Sequence, residues 1–380
     1  MFSGVLELGE RAESELFGPD QTAWLDMLEA EHDNLREALK GCRQTGEFEA
    51  VYRLAASVWR FWWIRGYLGE GRAWLDGAFS DYGLDPVVRA KALHAAGALA
   101  WDQSDLRTAR DFLVKGMSLF AELGDARGAA FSRLKLGAVF CLQGDYDRAE
   151  ALMRESLALG RQTDDSQTTA YALIQLAENA MLRAHVWEAR SLGDEGLAMF
   201  RELGDTYGIT ASLGILGEAA LHEGDHGRAK AMLEESLRMG RAMGDKWRIA
   251  MAQAMLGELA GAEKDYRRAA ALHKNALGLR WEIGQGEGIA ESIEALAALA
   301  AHEGKGDCWR AAQLYGATEA VREAVGAPVH PVRRSDHDGQ VALLRAGIDE
   351  VDFARAWETG RALPLEEAIR LASEAGEGVG

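Results

Sequence analysis

Leu203-Gly204-Asp205 ends one helix-forming run and opens the next. The same mark stands forty residues apart at Leu123-Gly124-Asp125, Thr163-Asp164-Asp165, Met243-Gly244-Asp245 and Ile283-Gly284-Gln285. Twenty residues after each comes a second column: Gly144-Asp145, Ala184-His185, Gly224-Asp225, Lys264-Asp265 and Gly304-Lys305. Glycine after a helix supplies a left-handed C-cap, and an aspartate behind it can cap the next helix. Two such marks in every forty residues divide each repeat into two helices joined by short turns.

Columns inside the helices agree. Leu136-Gly137, Leu176-Ala177, Leu216-Gly217, Leu256-Gly257 and Leu296-Ala297 set a large residue before a small one in the first helix of each pair. Ala109, Ala149, Ala189, Ala229 and Ala269 open the second helix, with Phe112, Leu152, Leu192, Met232 and Leu272 three residues on. Met117, Leu157, Leu197, Leu237 and Leu277 follow five further. Small residues let helices approach and large ones fill the gap. A lone hairpin would leave an apolar face bare, so neighbouring hairpins must stack.

Composition fits such an array. The chain has 380 residues, 48% of them hydrophobic, and only five prolines. That is long for one compact core and ordinary for a stack that grows along an axis. The formal net charge of -18, from 60 acidic and 42 basic residues, repels polyphosphate and argues against nucleic acid as a partner of this segment. No basic segment followed by an apolar run begins the chain, and no stretch nears 18 uncharged apolar residues, so neither a signal peptide nor a membrane partner is expected. Cys42, Cys141 and Cys308 are too far apart in sequence for metal-ligand spacing, which fits a reduced, cytoplasmic protein with no cofactor.

Leu136, Gly137, Phe140, Ala149, Met153 and Ser156 stand at the spacing of the large-small-aromatic and Ala-aromatic-small positions of tetratricopeptide repeats, which the chain resembles. It departs from that family in two ways: a forty-residue period, longer than usual, and Gly-Asp in place of the proline that ends the second helix. The long repeats resemble the sensor of the maltose-regulon activator. The run Leu28 to Leu39, the segment Trp59-Arg60-Phe61-Trp62-Trp63-Ile64-Arg65-Gly66-Tyr67, and the tail motifs Gln313-Leu314-Tyr315-Gly316 and Gly360-Arg361-Ala362-Leu363-Pro364 look like the sensor regions of actinobacterial signal-transduction ATPases, many of them LuxR-type or antibiotic-regulator-type transcription factors. The resemblance implies a nucleotide-binding part upstream; within this chain no G-x-x-x-x-G-K-[ST] loop occurs.

The expected fold is all-α: a right-handed superhelical solenoid of about seven forty-residue hairpins over 46–327, preceded by an N-terminal helical segment over 1–45 and followed by a linker and C-terminal helical cap over 328–380. The expected role is a scaffold and not an enzyme. It would bind a protein or peptide partner, or a small effector, in its concave groove, either as the sensor of an ATPase-type regulator or as an independent scaffold for a partner peptide.

Several candidate residues stand out. Trp59, Trp62, Trp63 and Trp74 fall at helical spacing and read as core. His222 and His226 are parted by Gly224, which breaks the helical register a metal pair would need. His330 and His337, around Arg333-Arg334-Ser335-Asp336 and behind Pro328 and Pro331, read as a solvated connection. No nucleophile elbow accompanies them. Glu178, Glu218 and Glu258 share one helical phase, which the resemblance to tetratricopeptide repeats implies faces the groove, as either solvated surface or an acidic ladder for a basic or hydroxyl-rich ligand. Phe131 and Tyr171 fall at another groove-facing position, as an apolar patch.

Overall fold

The computed structural model describes residues 2–77, 83–302 and 308–375, and among them it contains twenty α-helices and no strand. Gly304-Lys305 lies outside the described residues. An N-terminal group comprises α1 (Phe2–Glu15), α2 (Gln21–Ala30) and α3 (His32–Thr45). Seven hairpins follow: α4 (Phe48–Arg65) with α5 (Leu68–Leu75), α6 (Pro86–Asp102) with α7 (Leu106–Glu122), α8 (Ala126–Leu142) with α9 (Tyr146–Gln162), α10 (Ser166–Leu182) with α11 (Val186–Leu203), α12 (Thr206–His222) with α13 (His226–Met243), α14 (Lys246–Ala262) with α15 (Tyr266–Ile283), and α16 (Gly286–His302) with α17 (Cys308–Val325). The chain ends in α18 (Pro331–Gly347), α19 (Glu350–Arg361) and α20 (Leu365–Ala375). No described helix is long and apolar enough to cross a membrane.

The Gly-Asp marks act as the columns imply. Gly124, Gly204, Gly244 and Gly284 are left-handed, and Ser104, Asp164, Ala184 and Lys264 hold the same conformation without being glycine. The next residue's N–H turns back to a carbonyl of the finished helix, as in Asp205 N to Phe200 O (3.1 Å) and Asp165 N to Gly160 O (2.9 Å). Its carboxylate then accepts from the third residue of the new helix, as Asp225 does from Arg228 N (3.1 Å) and Asp245 from Arg248 N (2.9 Å). One dipeptide thus satisfies orphan groups at both helix ends.

The two helices of a hairpin differ in burial. In α9 only one face is covered, through Ala149, Met153, Ser156, Leu157 and Gly160. The first helices α10, α12 and α14 are buried nearly all round. A helix apolar on every side belongs inside, so these form the inner layer and the second helices the outer one. Trp62 is fully buried, while Trp59 stacks on Trp63 at 5.5 Å towards the interior. The tail motifs have a packing reason as well. Trp357 O and Gln313 O approach Gly316 and Gly360 so closely that no side chain fits, and α17 and α19 meet backbone to backbone.

The superhelix closes on itself. Gly286 N donates to Ser104 Oγ (3.1 Å), joining the last hairpin to the second, and Arg65 lies against Gly244. From the N-terminal group, Gln21 Oε1 accepts from Tyr207 N (2.8 Å), and Gln167 Nε2 donates to Phe17 O (3.2 Å). The inner layer therefore surrounds an axis that is largely shut off from solvent.

Candidate functional site

Six inner helices turn polar side chains towards that axis. Trp63 comes from α4, Trp101 and Asp102 from α6, Lys135 from α8, Gln175 and Glu178 from α10, and Tyr207 from α12; Asp245, Trp247 and Arg248 come from the start of α14. Lys135 and Gln175 are forty residues apart and occupy equivalent positions in adjacent repeats. Together these residues enclose a chamber of about 20 Å³, and a separate cavity of about 90 Å³ shares Trp101, Asp102, Glu178 and Trp247 with its lining.

The chamber holds charge that has little water to solvate it. The Lys135 ammonium lies over the indole rings of Trp63 (4.2 Å) and Trp101 (4.6 Å). Burial pushes the Asp102 carboxyl up to about 7, opposed chiefly by Lys135 and only slightly by the Trp63 indole. Burial pushes Lys135 down to about 8 against the pull of Asp102 and Glu178. Arg248 donates to the Tyr207 hydroxyl (2.8 Å). Neither oxygen of Asp102 has a hydrogen bond of normal length, although the residue is only 4% exposed. Trp101 Nε1, Gln175 Oε1 and Arg248 Nε are also unpartnered. A buried polar group without a partner costs about 1–3 kcal/mol, and several of them face this one chamber.

Glu178, Glu218 and Glu258 each have a cation nearby. Glu178 keeps some surface towards the chamber; burial raises its pKa, opposed by Arg248 and Lys135. Glu218 and Glu258 share Arg333, which donates to them at 3.2 and 2.6 Å. Burial pushes Glu218 up to about 7 despite that contact. For Arg333, burial works against the charge, but Glu258, Glu218 and Glu291 outweigh it and hold the guanidinium firmly ionised.

The connection read as solvated is corrected here. Pro331 starts α18, and His330 just before it is 2% exposed, hydrogen-bonded with Tyr146 (2.7 Å) and with Glu287. Proline in the first turn of a helix was the available signal. The acidic partners that make the segment dock are far away in sequence. His222 and His226 flank the Gly224 turn at the rim of a wider open groove beside α18.

Phe131 and Tyr171 do lie together on the inner face, with ring centroids 5.5 Å apart. The chain's own Phe17 covers them edge-on, at 5.8 and 6.1 Å. Tyr171 donates to Asp205 (2.6 Å) and accepts from Arg60 (2.5 Å), and the Arg60 guanidinium lies 3.9 Å from the Phe17 ring. The patch is thus joined to the N-terminal group. The residues that sequence reasoning passed over are Asp102, Lys135, Gln175 and Arg248. Of these, Lys135 and Gln175 stand at the forty-residue spacing, and no repeat column marks Asp102 or Arg248.

Paired helices stacked through Gly-Asp turns, with inner faces lining an axial chamber, define a tetratricopeptide-type repeat solenoid. A family model described as tetratricopeptide repeat matches residues 128–202. The Rap protein complexed with competence and sporulation factor has a similar solved structure, at 11% identity over 98% of this chain and 99% of that one, with a TM-score of 0.61. The apo form of the quorum sensor NprR from B. thuringiensis is similar at 11% identity over 91% and 98% of the two chains, with a TM-score of 0.48. No curated protein matches the chain. At these identities the likeness is one of fold.

Proposed function

We propose that this chain is a binding scaffold whose axial chamber and adjoining acidic groove take an effector or a partner's peptide, and that occupancy is passed on through the closed superhelix. The observation that carries this reading is the convergence of polar side chains from six inner helices on one enclosed cavity. A solenoid whose inner layer served only packing would fill that space with apolar side chains. In one form of the reading the chain is the sensor of an ATPase-type transcriptional regulator, as its end segments suggest. An in-frame nucleotide-binding domain upstream of residue 1 would support that form. The other form is an independent scaffold for a partner peptide. It is supported by the likeness of almost the whole chain to the Rap protein complexed with competence and sporulation factor.

Trp63, Trp101 and Trp247 line the chamber and report on it. Pools of metabolites and short peptides are titrated against tryptophan emission and the melting midpoint. A bound ligand changes both, and the emission change shrinks when Trp247 is replaced by Phe. A well-folded chain whose emission and midpoint respond to no pool removes the reading.

A further inference from the structure

Charge holds α18 more than burial does. Only Leu344 of its seventeen residues is buried, whereas twelve residues are buried in α10 and thirteen in α12. Its first turns and the residues before them lie across the solenoid. Pro328 rests against Gly144, and His330 bonds with Tyr146 and Glu287. Val332 packs on the small cluster of Ala180, Met181, Ala189 and Ala219. Arg333 reaches Glu218 and Glu258, and His337 lies 3.5 Å from Glu294. The segment 328–337 thus touches five successive hairpins, from the third to the seventh.

A partner's linear segment laid along a repeat array would follow the same path. The segment also walls two spaces. His330, Val332 and Arg333 line the cavity of about 90 Å³, and Arg333, Asp336 and His337 line the wider groove beside α18. His273 and Arg280 line that groove as well; both are buried, and each keeps one nitrogen without a hydrogen bond. Lifting the segment would leave Glu218, Glu258, Glu287, Glu291 and Glu294 facing only Arg280 and Arg322 as cations. Partly buried carboxylates stripped of their cation are costly, so the segment leaves in exchange for another cation and not by simple opening. The shape of that cation is set. Arg333 spans Glu218 and Glu258 with two different nitrogens, which a planar guanidinium does better than a single ammonium.

We propose that the segment 328–337 is an internal pseudo-ligand: it occupies the groove that an arginine-bearing segment of a partner protein takes by displacing it. This rests on the reading of the chain as a binding scaffold, and it adds the partner's chemistry and a means of control. The partner presents an arginine to Glu218 and Glu258 and, beside it, a small apolar residue to the cluster where Val332 packs. The resting occupant is tethered, at an effective concentration on the order of millimolar, so it turns away weak competitors and yields to a segment that reproduces several of its contacts. The exchange frees the start of α18, and through α18 it reaches the C-terminal cap.

The test uses the full chain, with a labelled synthetic peptide of its own residues 327–340 as the probe. Fluorescence anisotropy should show the peptide binding the Arg333→Ala chain about tenfold or more tighter than the parent, whose own segment competes. A peptide carrying the same Arg333→Ala change should lose that binding, and one carrying Arg333→Lys should bind several-fold more weakly. Glu258→Gln added to the Arg333→Ala chain should weaken binding by about tenfold. A second measurement needs no variant. Excess peptide should speed amide exchange over residues 331–347 of the parent by about tenfold or more while α10, α12 and α14 stay protected, and this decides alone if Arg333→Ala folds poorly. The inference is overturned if the folded Arg333→Ala chain binds the peptide no better than the parent, if the alanine peptide binds as tightly as the original, or if excess peptide leaves exchange over 331–347 unchanged. Where the peptide fails but another molecule changes the emission of Trp247, this assignment falls and the scaffold reading stands.

Discussion

Two glycines one turn apart in α12 allow the packing argument to be tested with its largest confounder removed. A methyl group added at Gly217 would lie 2.7 Å from both Cγ and Cδ2 of Leu233, which is fully buried and has no room to yield. The same methyl at Gly214 would meet only Ser236 Oγ at 3.8 Å, an ordinary contact. Gly→Ala inside a helix gains about 0.8–1 kcal/mol from propensity alone. Overpacking a tight core costs about 1–3 kcal/mol. Gly214→Ala should therefore stabilise by about 0.5–1 kcal/mol, and Gly217→Ala should destabilise by about 1–2. Because both sites share a helix, propensity cancels in the difference, which reads the Leu233 contact at about 1–3 kcal/mol. Gly137→Ala should fall between them, since its neighbour is the flexible Met153 side chain at 3.0 Å. Urea titrations followed by far-ultraviolet circular dichroism give the three midpoints. Equal midpoints for Gly214→Ala and Gly217→Ala would refute the claim that the large-small column is where the hairpin helices touch.

Asp102 has a folded pKa of about 7 against an ordinary 3.8, so its favourable contribution is complete below about pH 4 and is lost as pH rises through 7. Asp102→Asn should match the parent near pH 4 and become more stable than it by about 2–4 kcal/mol at pH 8, as pH-dependent melting would show; a difference independent of pH would contradict the buried carboxylate. Arg333→Ala leaves Glu218 and Glu258 without their shared cation and should cost about 3–5 kcal/mol, with faster amide exchange in α18; an unchanged midpoint would make that contact superficial. Ala184 holds φ +63 where neighbouring repeats have glycine, so Ala184→Gly should raise stability by about 0.5–1 kcal/mol, and a loss of stability would mean that the strain is absent.

The local grammar of this chain could be read from its sequence because its causes are local. Gly204 and Asp205 fix a helix end and a helix start using atoms within five residues of each other, and the pattern repeats often enough to be unmistakable. The inward phase of Glu178, Glu218 and Glu258 was legible for the same reason. What those carboxylates meet was not. Arg333 reaches Glu258 across 75 residues and Glu218 across 115, and no periodicity links a lone arginine in a proline-flanked stretch to a repeat column. The chamber was hidden by the same gap. Asp102 and Lys135 belong to helices that look merely apolar in sequence, and they become a site only when the superhelix curls far enough to bring α4, α6 and α14 round one axis. Phe131 and Tyr171 were placed on the inner face by phase alone. Their cover, Phe17, comes from a segment outside the repeat pattern.

The Ser104–Gly286 hydrogen bond spans 182 residues, and it sets this solenoid apart from those that lengthen or shorten freely. In an open array each unit meets only its neighbours, so gene duplication can add a unit and deletion can remove one with a modest, local effect. Here a hairpin inserted between α7 and α12 would carry Gly286 past Ser104, Gly244 past Arg65 and Tyr207 past Gln21, breaking the ring at several places together. The number of repeats is consequently a fixed quantity for this molecule, as the strand number is for a closed barrel. Its lineage is expected to vary through substitutions on the inner faces while the count of hairpins stays constant.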